Sequence, residues 1–169
     1  MGLPHKLKNF NVFGDGENWI GKIPEVALPK IALKVEQYRG GGMLSEVDVA
    51  LGLEKMEMEL KLGGLLLGAL RSLGALTIDG TMLRFVGAYQ EDVAGGILAA
   101  ELVVRGLVTE LDPGNAKVGD NTEWSRKMTL SYLKWIVNGR TEVEIDVINC
   151  VFMVDGVDAM AGIRAALQQ

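Results

Sequence analysis

One histidine, one cysteine and four prolines are all that this 169-residue chain holds of three informative residue types. Each shortage excludes something. His5 alone cannot supply a Ser-His-Asp triad, a Cys-His pair or a histidine-based metal site. Cys150 alone forbids a disulfide within the chain, and the expectation is a small buried apolar side chain in a reducing compartment. Few prolines beside 22 glycines argue for many tight turns in a β-rich chain rather than for a linker. Basic residues are also outnumbered, 17 against 22 acids, for a net charge of −5. That disfavours a dedicated nucleic-acid binder, which would show a basic stripe, but allows a surface that nucleic acid slides past. No apolar run follows Lys6 and Lys8, so no signal peptide is expected. The greasiest stretch, Leu62 to Ile78, is broken by Arg71 and by glycines, so no membrane span is expected.

What is present describes a folded chain. Apolar residues make up 49% and charged residues 23%, enough for an ordinary core in one domain over 1–169. Met56 to Leu62 alternates strictly between apolar and charged residues, the pattern of a strand with one face on a core. Thr81–Gln90, Ile97–Leu111 and Thr122–Val137 read as longer strands. Asn138-Gly139 is the best hairpin signal and Arg140–Val147 its return strand. Asp15-Gly16 predicts a hairpin turn within Asn11–Gly21, Asp112-Pro113-Gly114-Asn115 a turn, and Asp155-Gly156 another. Leu65–Leu73 reads as a short helix closed by Gly74. Asp158 suits the N-cap of a terminal helix with Met160, Ile163 and Leu167 on one face. The expected fold is mainly β: an antiparallel β-sandwich or open barrel with two short helices packed on it.

Candidate chemistry thins out on inspection. Gly40-Gly41-Gly42 lacks the Gly-Lys-Ser/Thr of a phosphate loop. Gly14-x-Gly16 has Trp19 where a dinucleotide fingerprint needs glycine. Asp112 and Glu123 have the end spacing of a calcium loop, but Gly114 and Ala116 offer no side-chain oxygen and Lys117 replaces the turn glycine. Glu57 and Glu59, or Glu142, Glu144 and Asp146, could in principle pair for glycoside hydrolysis; at period 2 they fit a solvated sheet face better. Trp19, Trp124 and Trp135 lack the basic surround of a nucleic-acid platform and fit a core or subunit contact. No enzyme, cofactor or metal is expected.

The segment from Leu28 to Met43 is the most informative. Ile31, Leu33 and Val35 alternate with Ala32, Lys34 and Glu36, as in a strand with one buried face, and Tyr38-Arg39 leads into three glycines. Such a loop is mobile, or its backbone lies close against something else. With Leu7-Lys8-Asn9-Phe10-Asn11-Val12-Phe13, Leu51-Gly52-Leu53, Leu62-Gly63-Gly64, Phe85-Val86-Gly87-Ala88-Tyr89-Gln90, Arg105-Gly106-Leu107, Glu110-Leu111-Asp112-Pro113-Gly114, Asn138-Gly139-Arg140, Glu144-Ile145-Asp146, Asn149 and Asp155-Gly156-Val157-Asp158, it resembles the major tail tube proteins of contractile-tailed phages. It is equally similar to the tube subunits of R-type contractile bacteriocins. The likeness runs over essentially the whole length.

That resemblance implies a structural subunit of the tail's inner tube. Six copies would close into a ring with one continuous β-barrel, and the rings would stack into a hollow conduit inside a contractile sheath. The implied partners are the chain itself, the sheath, the baseplate and tail terminator proteins, and DNA passing through the lumen without specific binding. The implied place is the virion tail, assembled in the host cytoplasm. Two sets of residues become candidates. Tyr38, Arg39, Gly40, Gly41, Gly42 and Met43 would form an inter-subunit loop. Glu57, Glu59 and Lys61, or Glu142, Glu144 and Asp146, would face the lumen, with Glu123, Ser125, Lys127, Thr129 and Ser131 a third possibility. An acidic wall would repel the phosphate backbone during passage. A soluble β-sandwich binding module is the reading from another class; it would elute as a compact monomer or dimer where a tube protein forms rings.

Overall fold

The structure is a computed structural model that describes residues 2–169. Its strands are β1 (Lys6–Gly14), β2 (Glu17–Asn18), β3 (Glu25–Ala27), β4 (Leu33–Tyr38), β5 (Val47–Leu53), β6 (Met56–Leu62), β7 (Thr81–Gln90), β8 (Ile97–Asp112), β9 (Trp124–Val137), β10 (Arg140–Asp146), β11 (Val151–Val154) and β12 (Val157–Asp158). Helix α1 (Leu67–Arg71) runs into a 3₁₀ turn over Ser72–Gly74, and α2 (Ala161–Ala166) lies near the C-terminus. Every strand pairing is antiparallel.

Ten strands form one sheet in the order β12-β11-β10-β9-β8-β7-β1-β2, with β6 on β9 and β3 on β6. The branching follows from the length of β9. Its first half, Trp124–Leu130, pairs with β6, and its second half, Tyr132–Val137, pairs with β10. On its other side β8 runs alongside nearly its full length. The sheet therefore folds over on itself. Val12, Leu83, Phe85 and Leu102 come from one side, and Met58, Leu60, Met128 and Leu130 from the other, into a single apolar cluster. Trp19 is buried in that cluster, while Trp124 and Trp135 pack partly against it.

The strict alternation over 56–62 places Met56, Met58, Leu60 and Leu62 inside and leaves Glu57, Glu59 and Lys61 on the other face. In β9 the alternation holds only up to Leu130. Arg105 opposes Tyr132 but Gly106 opposes Leu130, so Ser131 is an extra residue in β9. The bulge switches the inward positions from even to odd, and Leu133 is then buried. The polar set 125, 127 and 129 therefore lies on one stretch of the outer surface, and Ser131 marks its end.

Asn138 (φ +49°) and Gly139 (φ +80°) both have the left-handed backbone that a two-residue hairpin between β9 and β10 requires. Asp155 and Gly156 (φ +53° and +77°) do the same between β11 and β12.

Four expectations need correction. The face of Ile31, Leu33 and Val35 is not buried within the chain: β4 pairs only with β5, as a two-stranded ribbon separate from the main sheet, and all six of its residues are exposed. Asp158 is not the cap of the terminal helix. It lies upstream, accepting a hydrogen bond from the Met160 N–H (3.0 Å) and pairing with Arg164, and the helix begins at Ala161. The apolar face of that helix is not packed, since Ile163 and Leu167 are more than half exposed. Cys150 is not a core residue: it is half-buried in the turn between β10 and β11, at φ +53°.

Candidate functional site

Two features have the makings of a working surface: the ribbon β4–β5, and the outer face of the block β3-β6-β9-β8. The ribbon comes first. Leu33 pairs with Leu53, Val35 with Ala50, Glu36 with Val49 and Tyr38 with Val47. A two-stranded hairpin is at best marginally stable in water on its own. This one nevertheless exposes Leu33, Val35, Tyr38, Val47, Val49 and Leu51. At its tip the glycine loop is closed by its own bonds. Met43 N–H donates to the Gly40 carbonyl (3.2 Å), Gly40 N–H to the Met43 sulfur (3.1 Å), and Arg39 Nε to the Met43 carbonyl (3.3 Å). Only Gly42, at φ +85°, needs glycine for its backbone. A Cβ on Gly41 or Gly42 would meet no atom of the chain within 4 Å, so nothing within the chain lies close against these two glycines.

The second surface comes from the strand pairing. β7 accompanies β8 only as far as Gly106, opposite Thr81. Beyond it, Leu107–Asp112 pairs with β9 alone. At the other end β3 pairs with β6 alone. The block β3-β6-β9-β8 therefore has a free strand edge on each side. Its inner face is core. Its outer face gathers Glu25, Glu57, Glu59, Glu110 and Asp112 against Lys61 and Lys127, placed side by side by the register. Lys61 bonds to Glu59 (3.1 Å), and that carboxylate holds the ammonium above its ordinary pKa. The surplus on this face is negative. Where the chain between β3 and β4 leaves the sheet, a groove of about 410 Å³ opens, lined among others by Lys30, Lys55, Glu57 and Lys127.

The other acidic set lies elsewhere and in different company. Glu144 faces Lys134 (3.8 Å) and accepts from the Tyr132 hydroxyl (3.1 Å). Burial, then that carboxylate, pushes the Tyr132 phenol up to about 12. Glu142 meets Arg140 (3.6 Å), and Asp146 accepts from the Asn149 amide (2.8 Å) and from backbone N–H groups. Alongside, Glu101 pairs with Arg84. This face neutralises itself, and Met82, Val86, Val103 and Ile136 lie on it beside the charges. The two acidic candidates are thus not one site, and only the set on β6 carries surplus charge. Alternation gives only the side an acid faces; whether a partner stands opposite depends on register, here Lys134 and Tyr132 of β9 against Glu144 of β10.

One buried charge lies behind the acidic wall. Arg126 is 1% exposed, with its guanidinium carbon 5.5 Å from the centre of the Trp19 ring. None of its three guanidinium nitrogens has a hydrogen-bond partner among the described residues. Burial pulls it down to about 10. Sequence reading missed it, since a cation at an inward position breaks the alternation it relies on. Among the described residues no three His, Cys, Asp or Glu side chains gather as a metal site, and no helix is long and apolar enough to cross a membrane.

Comparison with known proteins finds relatives in sequence and in fold. Residues 4–167 match the family described as phage tail tube protein FII. The chain is 40% identical over 163 residues to the tail tube protein of Escherichia phage P2, covering 95% of each. It is 39% identical over 159 residues to the major tail tube protein of Serratia phage KSP20, covering 92% of this chain and 91% of that one. The fold is shared with a chain of the sheath/tube terminator of the extracellular contractile injection system PVC (TM-score 0.59, 13% identity, 79% and 97% covered). It is also shared with a chain of the sheath–tube complex of that system (TM-score 0.55, 14% identity, 76% and 88% covered).

Proposed function

Because the chain belongs to the phage tail tube protein FII family, and so is a structural, non-enzymatic subunit of a contractile tail's tube, we propose that six copies close through the block β3-β6-β9-β8 into a ring that conducts DNA. The observation that carries this is the pair of free edges. Strands alternate in direction across the block, so the β8 edge of one copy meets the β3 edge of the next antiparallel, and no edge remains open. Four strands from each of six copies give roughly 24. At about 4.8 Å spacing and 35–45° tilt, the wall is about 45–50 Å across. With its inner side chains in place it still admits a DNA duplex.

Under this closure the core faces outward and the polar face inward, so Glu57, Glu59 and Lys61 line the channel. Glu142, Glu144 and Asp146 lie on the outer wall, toward the sheath. Six copies at net −5 bring roughly −30 per ring, and the lumen face takes a disproportionate share, so phosphates slide past without adhering. The loop Tyr38–Met43 and its ribbon engage another copy. The sheath, baseplate and terminator are partners at the outer wall and the two ends, and assembly takes place in the host cytoplasm. A bacteriocin tube is the second reading, supported by the shared fold with an extracellular injection system. Capsid and terminase genes next to this one would favour genome delivery.

A cryo-EM map of tubes grown from the purified chain tests the proposal. Six-fold rings with Glu57 and Glu59 in the channel are expected. A channel lined mainly by lysine and arginine, or by the β10 face, would refute the orientation.

A further inference from the structure

Two apolar surfaces of the chain lie open. One is the ribbon β4–β5. The other is the greasy stretch after β6. Leu66, Ala69 and Ser72 turn inward, so Leu65, Leu67, Leu70, Leu73, Leu76 and Ile78 are left outward, from 38% exposed at Leu70 to 79% at Leu76. Monomers rarely leave continuous apolar patches beyond a few hundred Å² uncovered. The two do not cover each other within the chain, since Leu33, Val35, Tyr38, Val47 and Val49 of the ribbon are exposed as well.

A ring is built from one heterologous contact repeated, so each copy must carry two different surfaces that fit one another. These two qualify. One face of the ribbon holds Glu36, Tyr38, Val47 and Val49 together by register. The α1 stretch is apolar with a single cation, Arg71. Neither Glu36 nor Arg71 has an ion-pair partner within 4 Å among the described residues.

We propose that the ribbon of one copy lies across α1 and the following turn of another, with Tyr38, Val47 and Val49 on Leu67, Leu70 and Leu73 and Glu36 facing Arg71. The contact rests on the tube reading above and names the surface that receives the ribbon. It also accounts for the exposed leucines of Leu62–Ile78, which form an intersubunit socket. The ribbon then completes its fold only on assembly, and subunits stay soluble until they meet.

The test uses the full chain with Cys150→Ser, Val49→Cys and Leu70→Cys, assembled without sheath and treated with a short bismaleimide. A covalent ladder from dimer upward is expected on a denaturing gel, with monomer alone from either single-cysteine control. As a second probe, Arg71→Glu should raise the critical concentration for assembly about tenfold, and Glu36→Lys in the same chain should bring it back. Tubes that form normally but give no ladder, with both cysteines open to a small maleimide, would overturn the contact and leave the tube reading standing. So would an Arg71→Glu chain that assembles like wild type. A wild-type chain that never leaves the monomer would remove the tube reading and this contact together.

Discussion

Gly106→Ala tests the packing at its tightest point. Gly106 lies where β7 ends and where Ser131 bulges out of β9. A Cβ there would overlap the Thr129 carbonyl oxygen and come within 2.9 Å of its carbon and 3.1 Å of Leu130 Cα. All three atoms are backbone, so no side chain can rotate away. Relief requires β9 to move by roughly 1 Å or more, against a ladder bonded on both sides and with Met128 and Leu130 buried beneath it. Overpacking of this kind costs about 3 kcal/mol, at the upper end of the usual range because backbone must give. For a chain of this size that lowers Tm by roughly 6–12 °C. Urea unfolding monitored by circular dichroism, at a chain concentration below that at which tubes form so that polymerisation adds no apparent stability, reads the change directly. A loss under about 0.5 kcal/mol would show that the β8–β9 pairing is slack there and that the bulge does not fix the two strands as described.

Further perturbations probe the turns, the loop and the buried cation. Gly139→Val forces a β-branched residue to φ +80° and should destabilise by about 1 kcal/mol or more in the same assay; unchanged stability would rule out the two-residue turn. Replacing Gly40–Gly42 with alanines should impair polymerisation in a sedimentation assay while the monomer stays folded, and normal tubes would argue against an intersubunit loop. Arg126→Met keeps much of the volume and removes a charge whose burial is costly, so stability should stay level or rise by about 1 kcal/mol. A fall beyond about 2 kcal/mol would mean that stacking on Trp19 outweighs desolvation.

Much of the fold is legible in the sequence because its rules are local. Alternation over 56–62 gives a strand and its inward face, since a strand turns successive side chains to opposite sides. Asn138-Gly139 gives its turn, because few residue pairs accept two positive φ angles. The lone histidine and cysteine dispose of triads and disulfides by arithmetic. Other features needed the folded chain. Ile31, Leu33 and Val35 alternate as a core strand does, yet Leu33 and Val35 stand exposed on a separate ribbon and Ile31 is exposed just before it, because alternation reports a face and not what covers it. Glu57–Glu59 and Glu142–Glu144 look alike in sequence. They differ because Lys134, Tyr132 and Arg140 are folded against one set, while Glu110 and Asp112 are folded beside the other. Arg126 is buried despite its charge because β6 and β8 pair with β9 on either side and Trp19 lies over it. Strands, turns and the lack of a catalytic set were thus written into neighbouring residues and simple counts. Which edges stay free, which face keeps its charge and which leucines are left uncovered emerged only in three dimensions, because each depends on residues that meet only after the sheet has folded over.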